Sequence, residues 1–164
     1  DQATLPQNLI LEISYDTFTI APRDQLTVPD WPQLPEGLSS LKVNVPGLTP
    51  LPESAWTLET TLVSERPVEL SDGFTAYLDA DQLREPLILR PRRSADRFQP
   101  HGQPSPLRLK DWLISVKVPR LVRDRLPLLI AGDHIAWVPG VRVGQPFIVT
   151  GQTQRMIKLV FKKS

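Results

Sequence analysis

Cysteine is absent from the 164 residues, which excludes a disulfide framework, a thiolate metal site and a cysteine nucleophile. A thiol-free chain suits the cytosol, and a cytoplasmic location is the expectation. Histidine occurs twice, as His101 and His134. Each sits beside a glycine or a turn with no ligand-spaced partner, so both are expected as solvated turn residues and no metal site is foreseen. No apolar run approaches the roughly 20 residues of a membrane span, and the N-terminus lacks a basic-then-apolar signal pattern. No membrane partner is therefore expected. There is no glycine loop of the Walker or dinucleotide type, so nothing cradles a nucleotide phosphate with backbone amides. No serine has a histidine arrangement suited to nucleophilic catalysis. The acid pairs Asp79/Asp81 and Glu65/Glu69 read as solvated faces, and no catalytic constellation emerges. The chain starts at Asp1 without an initiator methionine, as an excised piece of a longer protein, or a processed one, would.

Glycine is also scarce, at eight against eighteen prolines, a balance that favours many short strands and rigid turns over long helices. The apolar fraction of 40% is distributed in short alternating runs. That patterning, at this length, is enough for one domain or two small ones sharing a core. The formal charge of +1 hides a strong division. Residues 1–85 carry four basic and fourteen acidic side chains, whereas residues 86–164 carry fifteen basic and four acidic. Such asymmetry points to an anionic partner for the basic side; two halves neutralising each other is the rival reading. The expected organisation is an acidic β-rich half, 1–85, and a basic α+β half, 86–164, within one compact unit.

Along the chain, residues 1–7 read as a loose lead-in, and Leu9–Ser14 with Phe18–Ala21 as a hairpin. A proline-rich connector from Thr27 to Glu36, pinned by Trp31, is expected to cover a sheet edge. Leu41–Val45 is a strand candidate ending in Val45-Pro46-Gly47-Leu48, where Pro-Gly suits a type II turn. Trp56, Leu58, Thr60 and Leu62 alternate with polar residues, predicting a strand with one buried face. Phe74–Leu78 continues the sheet, Asp79–Leu83 suits one helical turn, and Leu87–Leu89 another strand. Strands are likewise expected at Leu128–Ala131 and His134–Val138, across Gly132-Asp133, and at Phe147–Thr150 and Arg155–Phe161.

The stretch between Arg97 and Thr150 organises the rest. Leu109, Trp112, Leu113 and Val116 fall at i, i+3, i+4 and i+7, the apolar stripe of a short helix. Arg108, Lys110 and Lys117 lie off that stripe. Pro119 and Pro127 bracket Arg120-Leu121-Val122-Arg123-Asp124-Arg125-Leu126, where Arg120 and Arg123 share a face if the segment is a helical turn. Trp112, Trp137 and Phe98 are assigned to packing. Arg90, Arg92, Arg93, Arg97, Arg108, Arg120, Arg123, Arg125 and Arg142 supply planar donors whose bidentate fork fits phosphate.

The words Arg97-Phe98 with Pro100 and Gly102, Leu109-Lys110-Asp111, Lys117-Val118-Pro119-Arg120, Arg123-Asp124-Arg125, Pro127-Leu128, Trp137-Val138-Pro139-Gly140 with Arg142, and Phe147 carry a resemblance. In order and spacing this stretch resembles the C-terminal region of the tRNA(Ile)-lysidine synthetase family. The resemblance implies an α+β, predominantly β fold: a layered β-sandwich-like arrangement with one or two short helices, like the domain shared with the phenylalanyl-tRNA synthetase β subunit. It implies a non-catalytic module that holds tRNA(Ile), including its acceptor-stem end. Lysine is joined to the wobble cytidine of the CAU anticodon elsewhere in the parent ligase. The family's SGGxDS motif is missing, and Leu70-Ser71-Asp72-Gly73 does not match it. ATP (with Mg) and lysine are thus expected to bind the parent's catalytic N-terminal domain, with no cofactor in this chain. Arg97, Lys110, Arg120, Arg123 and Arg125 are the expected phosphate contacts, with Arg108, Lys117 and Arg142 behind them. Gln103-Pro104-Ser105-Pro106 departs from the lysine- or glycine-rich string of many relatives. The alternative is a structural module that stabilises the catalytic part or a homodimer without touching RNA.

Overall fold

The computed structural model describes residues 2–5, 9–14, 17–22, 30–65, 67 and 71–164, with residues 2–22 and 71–72 described by their backbone alone. Strands β1 (Gln2–Leu5), β2 (Leu9–Ser14) and β3 (Thr17–Pro22) form an antiparallel meander. The β2–β3 hairpin matches expectation. Gln2–Leu5, read from sequence as a loose lead-in, is instead a strand paired along β2. Of the connector expected over Thr27–Glu36, residues 27–29 lie outside the described residues.

Next come β4 (Leu41–Lys42), β5 (Gly47–Pro50), β6 (Trp56–Val63), β7 (Ser71–Asp72) and β8 (Thr75–Asp79). A 3-10 turn at Ala80–Gln82 follows, capped by the Asp79 carboxylate, which accepts from the Asp81 N–H. Strands β9 (Leu87–Arg90), β10 (Arg97–Phe98) and β11 (Leu107–Arg108) lead into helices α1 (Leu109–Ser115) and α2 (Arg120–Arg123). The chain ends with β12 (Leu128–Ala131), β13 (His134–Val138), β14 (Arg142–Val143), a 3-10 turn at Gln145–Phe147 and β15 (Met156–Lys163). A strand at Phe147–Thr150 does not form. Pro146 enters the 3-10 turn, and the Phe147 N–H closes on the Gly144 carbonyl instead of a ladder.

Two five-stranded antiparallel sheets result, in the orders β14-β13-β12-β9-β4 and β5-β6-β15-β8-β7. β12 explains the layering. All four of its residues are buried, with Leu129 and Ala131 joining the core between the sheets and Leu128 and Ile130 a second core. That second core contains Phe98, Leu109, Trp112, Leu113, Val118 and Val122. The first sheet is therefore covered on both faces, by the other sheet and by the helical layer. Opposite faces of one strand feed both cores because side chains alternate. The alternation slips in β13, where the register shifts opposite Leu129/Ile130. Ala136 and Trp137 then both face the inter-sheet core, as a bulge allows.

The charge halves interleave in this architecture. β15 from the basic half lies between β6 and β8 of the acidic half, burying Ile157, Leu159 and Phe161. The turn at Val138-Pro139-Gly140-Val141 shows how tightly the pieces meet. Gly140 has φ +78 and the Val141 N–H bonds to the Val138 carbonyl, the type II pattern with proline at i+1. A Cβ on Gly140 would stand 2.7 Å from both Phe74 and Trp31 ring carbons, which themselves pack edge-on at 5.4 Å. The other Pro-Gly pair behaves differently: Gly47 has φ +150 and opens β5 rather than making the anticipated type II corner. Leu62 also departs from expectation. It continues the inward face of β6 past the end of the core and is 56% exposed.

Candidate nucleic-acid interface

The local sequence dictates how the basic side chains are presented. Phe98 is buried against Trp112, with ring centroids 5.0 Å apart, and alternation along β10 turns its neighbour Arg97 outward. Leu107 is half-buried, so Arg108 faces out in the same way. β10 and β11 pair with Arg97 directly opposite Arg108. Cross-strand partners share a face, and like charges there repel. Helix α1 follows at once; Leu109, Trp112 and Leu113 are buried, leaving Lys110 exposed. Arg92, Arg97, Arg108 and Lys110 line one open depression of about 670 Å³, with Asp96 and Asp111.

Of the two acids, only Asp111 remains to offset that charge. Asp96 is already engaged from below: Arg90 grips both its oxygens at 2.8 and 2.9 Å, and the Arg93 backbone N–H donates at 2.7 Å. Burial works to raise the Asp96 carboxyl. The Arg90 hydrogen bond, the Arg93 N–H and the charges of both arginines outweigh it and hold the group below its ordinary value. With side chains only 8% and 11% exposed, the Arg90–Asp96 pair is part of the scaffold. The Asp96 carbonyl also accepts the Leu109 N–H, fixing where α1 begins. Arg90 is thus withdrawn from the set of outward donors. Arg92 is spoken for as well, by Asp124 at 2.6 Å.

The remaining sequence candidates separate by role. Arg97 donates to the Pro106 carbonyl at 3.2 Å and stays exposed. Among the described residues, Arg108, Lys110 and Arg120 have no side-chain hydrogen-bond or ion-pair partner. Arg120 is exposed on α2 and lines a neighbouring depression of about 470 Å³ with Arg125, Gln33 and the acids Glu36 and Asp124. Arg125 is half-buried and donates to the Leu34 carbonyl at 2.7 Å, while Leu34 N–H donates back to the Arg125 carbonyl. It fastens the connector to the helical layer. Arg123 donates to the Val118 carbonyl at 2.8 Å and is half-buried too. Arg142 is exposed, reaching the His101 carbonyl at 3.5 Å.

Lys117 occupies a special place. The Val118 N–H bonds to the Leu113 carbonyl and the Lys117 N–H to the Ile114 carbonyl. This is the Schellman closure of a helix, with Lys117 at the left-handed position, φ +64. Its accompanying apolar contact joins buried Val118 and Leu113. The helix therefore ends before Val116, which caps it at 36% exposure instead of extending the stripe.

No ion pair among the described residues joins a carboxylate of residues 30–85 to Arg97, Arg108, Lys110, Arg120 or Arg142. The pairs that cross between the charge halves use Arg155 with Asp81, Lys162 with Glu59 and Lys163 with Asp30. Nor do the described residues bring together three or more groups able to hold a metal ion. Sequence reasoning ranked Arg92 and Arg108 low and missed their meeting with Arg97 and Lys110. No pattern signals a register between two-residue strands.

Residues 87–159 match the family model of the TilS substrate C-terminal domain. The tRNA(Ile)-lysidine synthase of Symbiobacterium thermophilum is 36% identical over 165 residues, covering 97% of this chain and 33% of that protein. The enzyme of the same name from Dehalococcoides mccartyi is 37% identical over 109 residues, 65% of this chain and 23% of its own length. The chain thus spans a third or less of these curated relatives. A crystal structure of a TilS C-terminal domain superposes with a TM-score of 0.66 at 27% identity, over 76% of this chain and 95% of that one. An N-terminal fragment of the phenylalanyl-tRNA synthetase β subunit from Pyrococcus horikoshii overlaps 53% of this chain at 19% identity, with a TM-score of 0.47.

Proposed function

We propose, from the match of residues 87–159 to the TilS substrate C-terminal domain, that this chain is the non-catalytic, tRNA-holding C-terminal module of a tRNA(Ile)-lysidine synthase. In this reading the parent protein is a cytoplasmic ATP-dependent ligase that attaches lysine to the wobble cytidine of tRNA(Ile) with anticodon CAU. ATP with Mg and the lysine substrate are held by the parent's N-terminal catalytic domain. The present module grips the acceptor-stem end through backbone phosphates.

One observation carries the reading: Arg97 directly opposite Arg108 on the β10–β11 ribbon, with Lys110 beside them and no carboxylate partner for any of the three among the described residues. A fold gains nothing from pairing two arginines across a ribbon, whereas an anion placed between them relieves the repulsion and gains charge-assisted hydrogen bonds. Arg120, in the next depression, and Arg142, beyond the ribbon, extend the surface available to a polyanion. Phosphate contacts of this kind position RNA without reading its sequence. Lys117, Arg123 and Arg125 contribute chiefly through helix closure and connector attachment. No helix among the described residues is long and apolar enough to cross a membrane.

The test is direct titration of the chain with a tRNA(Ile) transcript at several salt concentrations. Affinity that falls steeply and linearly on a log–log plot supports the reading. A flat response, or no binding at the lowest salt, removes it. The structural-module alternative draws on an apolar opening lined by Val45, Leu62, Leu83 and Met156. It predicts no RNA binding, together with a concentration-dependent mass or a complex with the catalytic part.

A further inference from the structure

Beside the cationic depression lies a second hollow, of about 450 Å³, which shares Ala95, Asp96 and Arg97 with it. Its chemistry differs. The walls away from Arg97 include Gln99, Asp133, His134 and Phe147. His134 opens β13 directly after the Gly132-Asp133 turn and is exposed, and its imidazole lies 6.4 Å from the buried Phe147 ring. The Gln99 amide nitrogen is committed to the Gln103 carbonyl at 2.9 Å, which orients the amide and leaves its oxygen as an acceptor. Asp133 is exposed and has no hydrogen-bond partner among the described residues.

A surface meant only for phosphate would not carry the Asp133 carboxylate in the hollow that Arg97 also lines, since that group repels a phosphodiester. An aromatic ring with two acceptor oxygens suits the N–H-bearing edge and flat face of a nucleobase, and RNA is commonly read through unstacked bases laid on aromatic or imidazole rings. A paired, stacked base cannot enter such a hollow. Resting on the RNA reading of the neighbouring depression, we propose that this hollow takes the base of one unpaired nucleotide. Its 5′ or 3′ phosphate lies on Arg97 and Arg108. Arg97, common to both depressions, joins the base seat to the phosphate seat. The module then distinguishes an RNA with a single-stranded element from an uninterrupted duplex, a selectivity that the cationic ribbon alone does not supply.

The test uses the full chain and two RNA hairpins with equal numbers of phosphates, one blunt-ended and one with a short single-stranded extension, titrated at the same salt. The extended hairpin is expected to bind about tenfold tighter, the effect of one stacked base. His134→Ala should remove most of that preference while leaving the blunt hairpin's affinity unchanged. His134→Tyr, which restores a ring, should retain it. Unfolding midpoints of both variants confirm that the fold is intact. Equal affinity for the two hairpins, or a preference undiminished in His134→Ala, overturns the base seat. Salt-dependent binding without preference overturns this proposal alone. Absence of salt-dependent binding to either hairpin overturns the RNA reading and this proposal with it.

Discussion

Replacing Arg97 and Arg108 together by glutamine separates an RNA-binding role from a structural one, because the two roles predict changes of opposite sign. The two residues are cross-strand partners on one face of the β10–β11 ribbon. Neither meets a carboxylate among the described residues, and the hydrogen bond at stake is the 3.2 Å contact from Arg97 to the Pro106 carbonyl. Removing two opposed like charges relieves a repulsion of about 0.2–1 kcal/mol, which roughly offsets that exposed hydrogen bond. The unfolding free energy should therefore stay within about 0.5 kcal/mol of the parent, or rise. Binding behaves otherwise. Each phosphate neutralised contributes roughly 0.7–0.9 to the slope of log K against log salt, so losing two contacts flattens the slope by about 1.4–1.8. Between about 50 and 200 mM salt, a fourfold change, the parent should lose roughly tenfold more affinity than the variant. Filter binding of a tRNA(Ile) transcript across that range, with chemical denaturation of both proteins, measures each quantity. Parallel salt slopes refute the reasoning, as does a weaker slope accompanied by a large loss of stability.

Gly140→Ala should destabilise the fold by about 2–5 kcal/mol, combining a left-handed backbone penalty with overpacking. The new Cβ meets Phe74 and Trp31 at 2.7 Å, and a thermal midpoint close to the parent's would show that the rings can retreat. Lys117→Gly should raise stability by about 0.5–1 kcal/mol, since φ +64 is strained for lysine and glycine recovers most of that cost despite its chain entropy; denaturant midpoints decide it. Asp96→Ala leaves the buried Arg90 guanidinium uncompensated and should cost about 3–5 kcal/mol at neutral pH. The Asp96 carboxyl is held below its ordinary value of 3.8 in the fold, so its ionised form stabilises the fold above that value. This contribution is lost as pH falls through the lower folded value. The stability gap between the parent and Asp96→Asn should therefore narrow in urea titrations below about pH 3.8. Asp124→Asn frees Arg92 from its 2.6 Å ion pair, adds one uncompensated cation to the depression and should tighten RNA binding at low salt by a few-fold, read in the same filter assay.

What the sequence determined by itself is whatever depends on near neighbours. Period-two runs placed β6 and β15 with their inward residues, Leu62 excepted, and Gly132-Asp133 placed the β12–β13 hairpin. The i, i+3, i+4 stripe of Leu109, Trp112 and Leu113 placed α1 and left Lys110 outside. The acidic and basic halves, and the string of words matching a tRNA-modifying family, were equally plain, because composition and spacing are local properties of the chain. Tertiary structure alone decided which cations come together. Arg90 and Arg97 are both arginines in basic surroundings, yet one is sealed against Asp96 and the other is exposed, paired across the ribbon with Arg108. The difference lies in strand register and burial, which arise only when segments distant in sequence pack. The same holds for Arg125, whose carbonyl partner Leu34 lies 91 residues away, and for His134, a turn residue in the sequence that in the fold borders the hollow beside Arg97. A guanidinium group has the same donors everywhere; whether it braces a scaffold or awaits a phosphate depends on which acceptors the folded chain brings within about 3 Å of it.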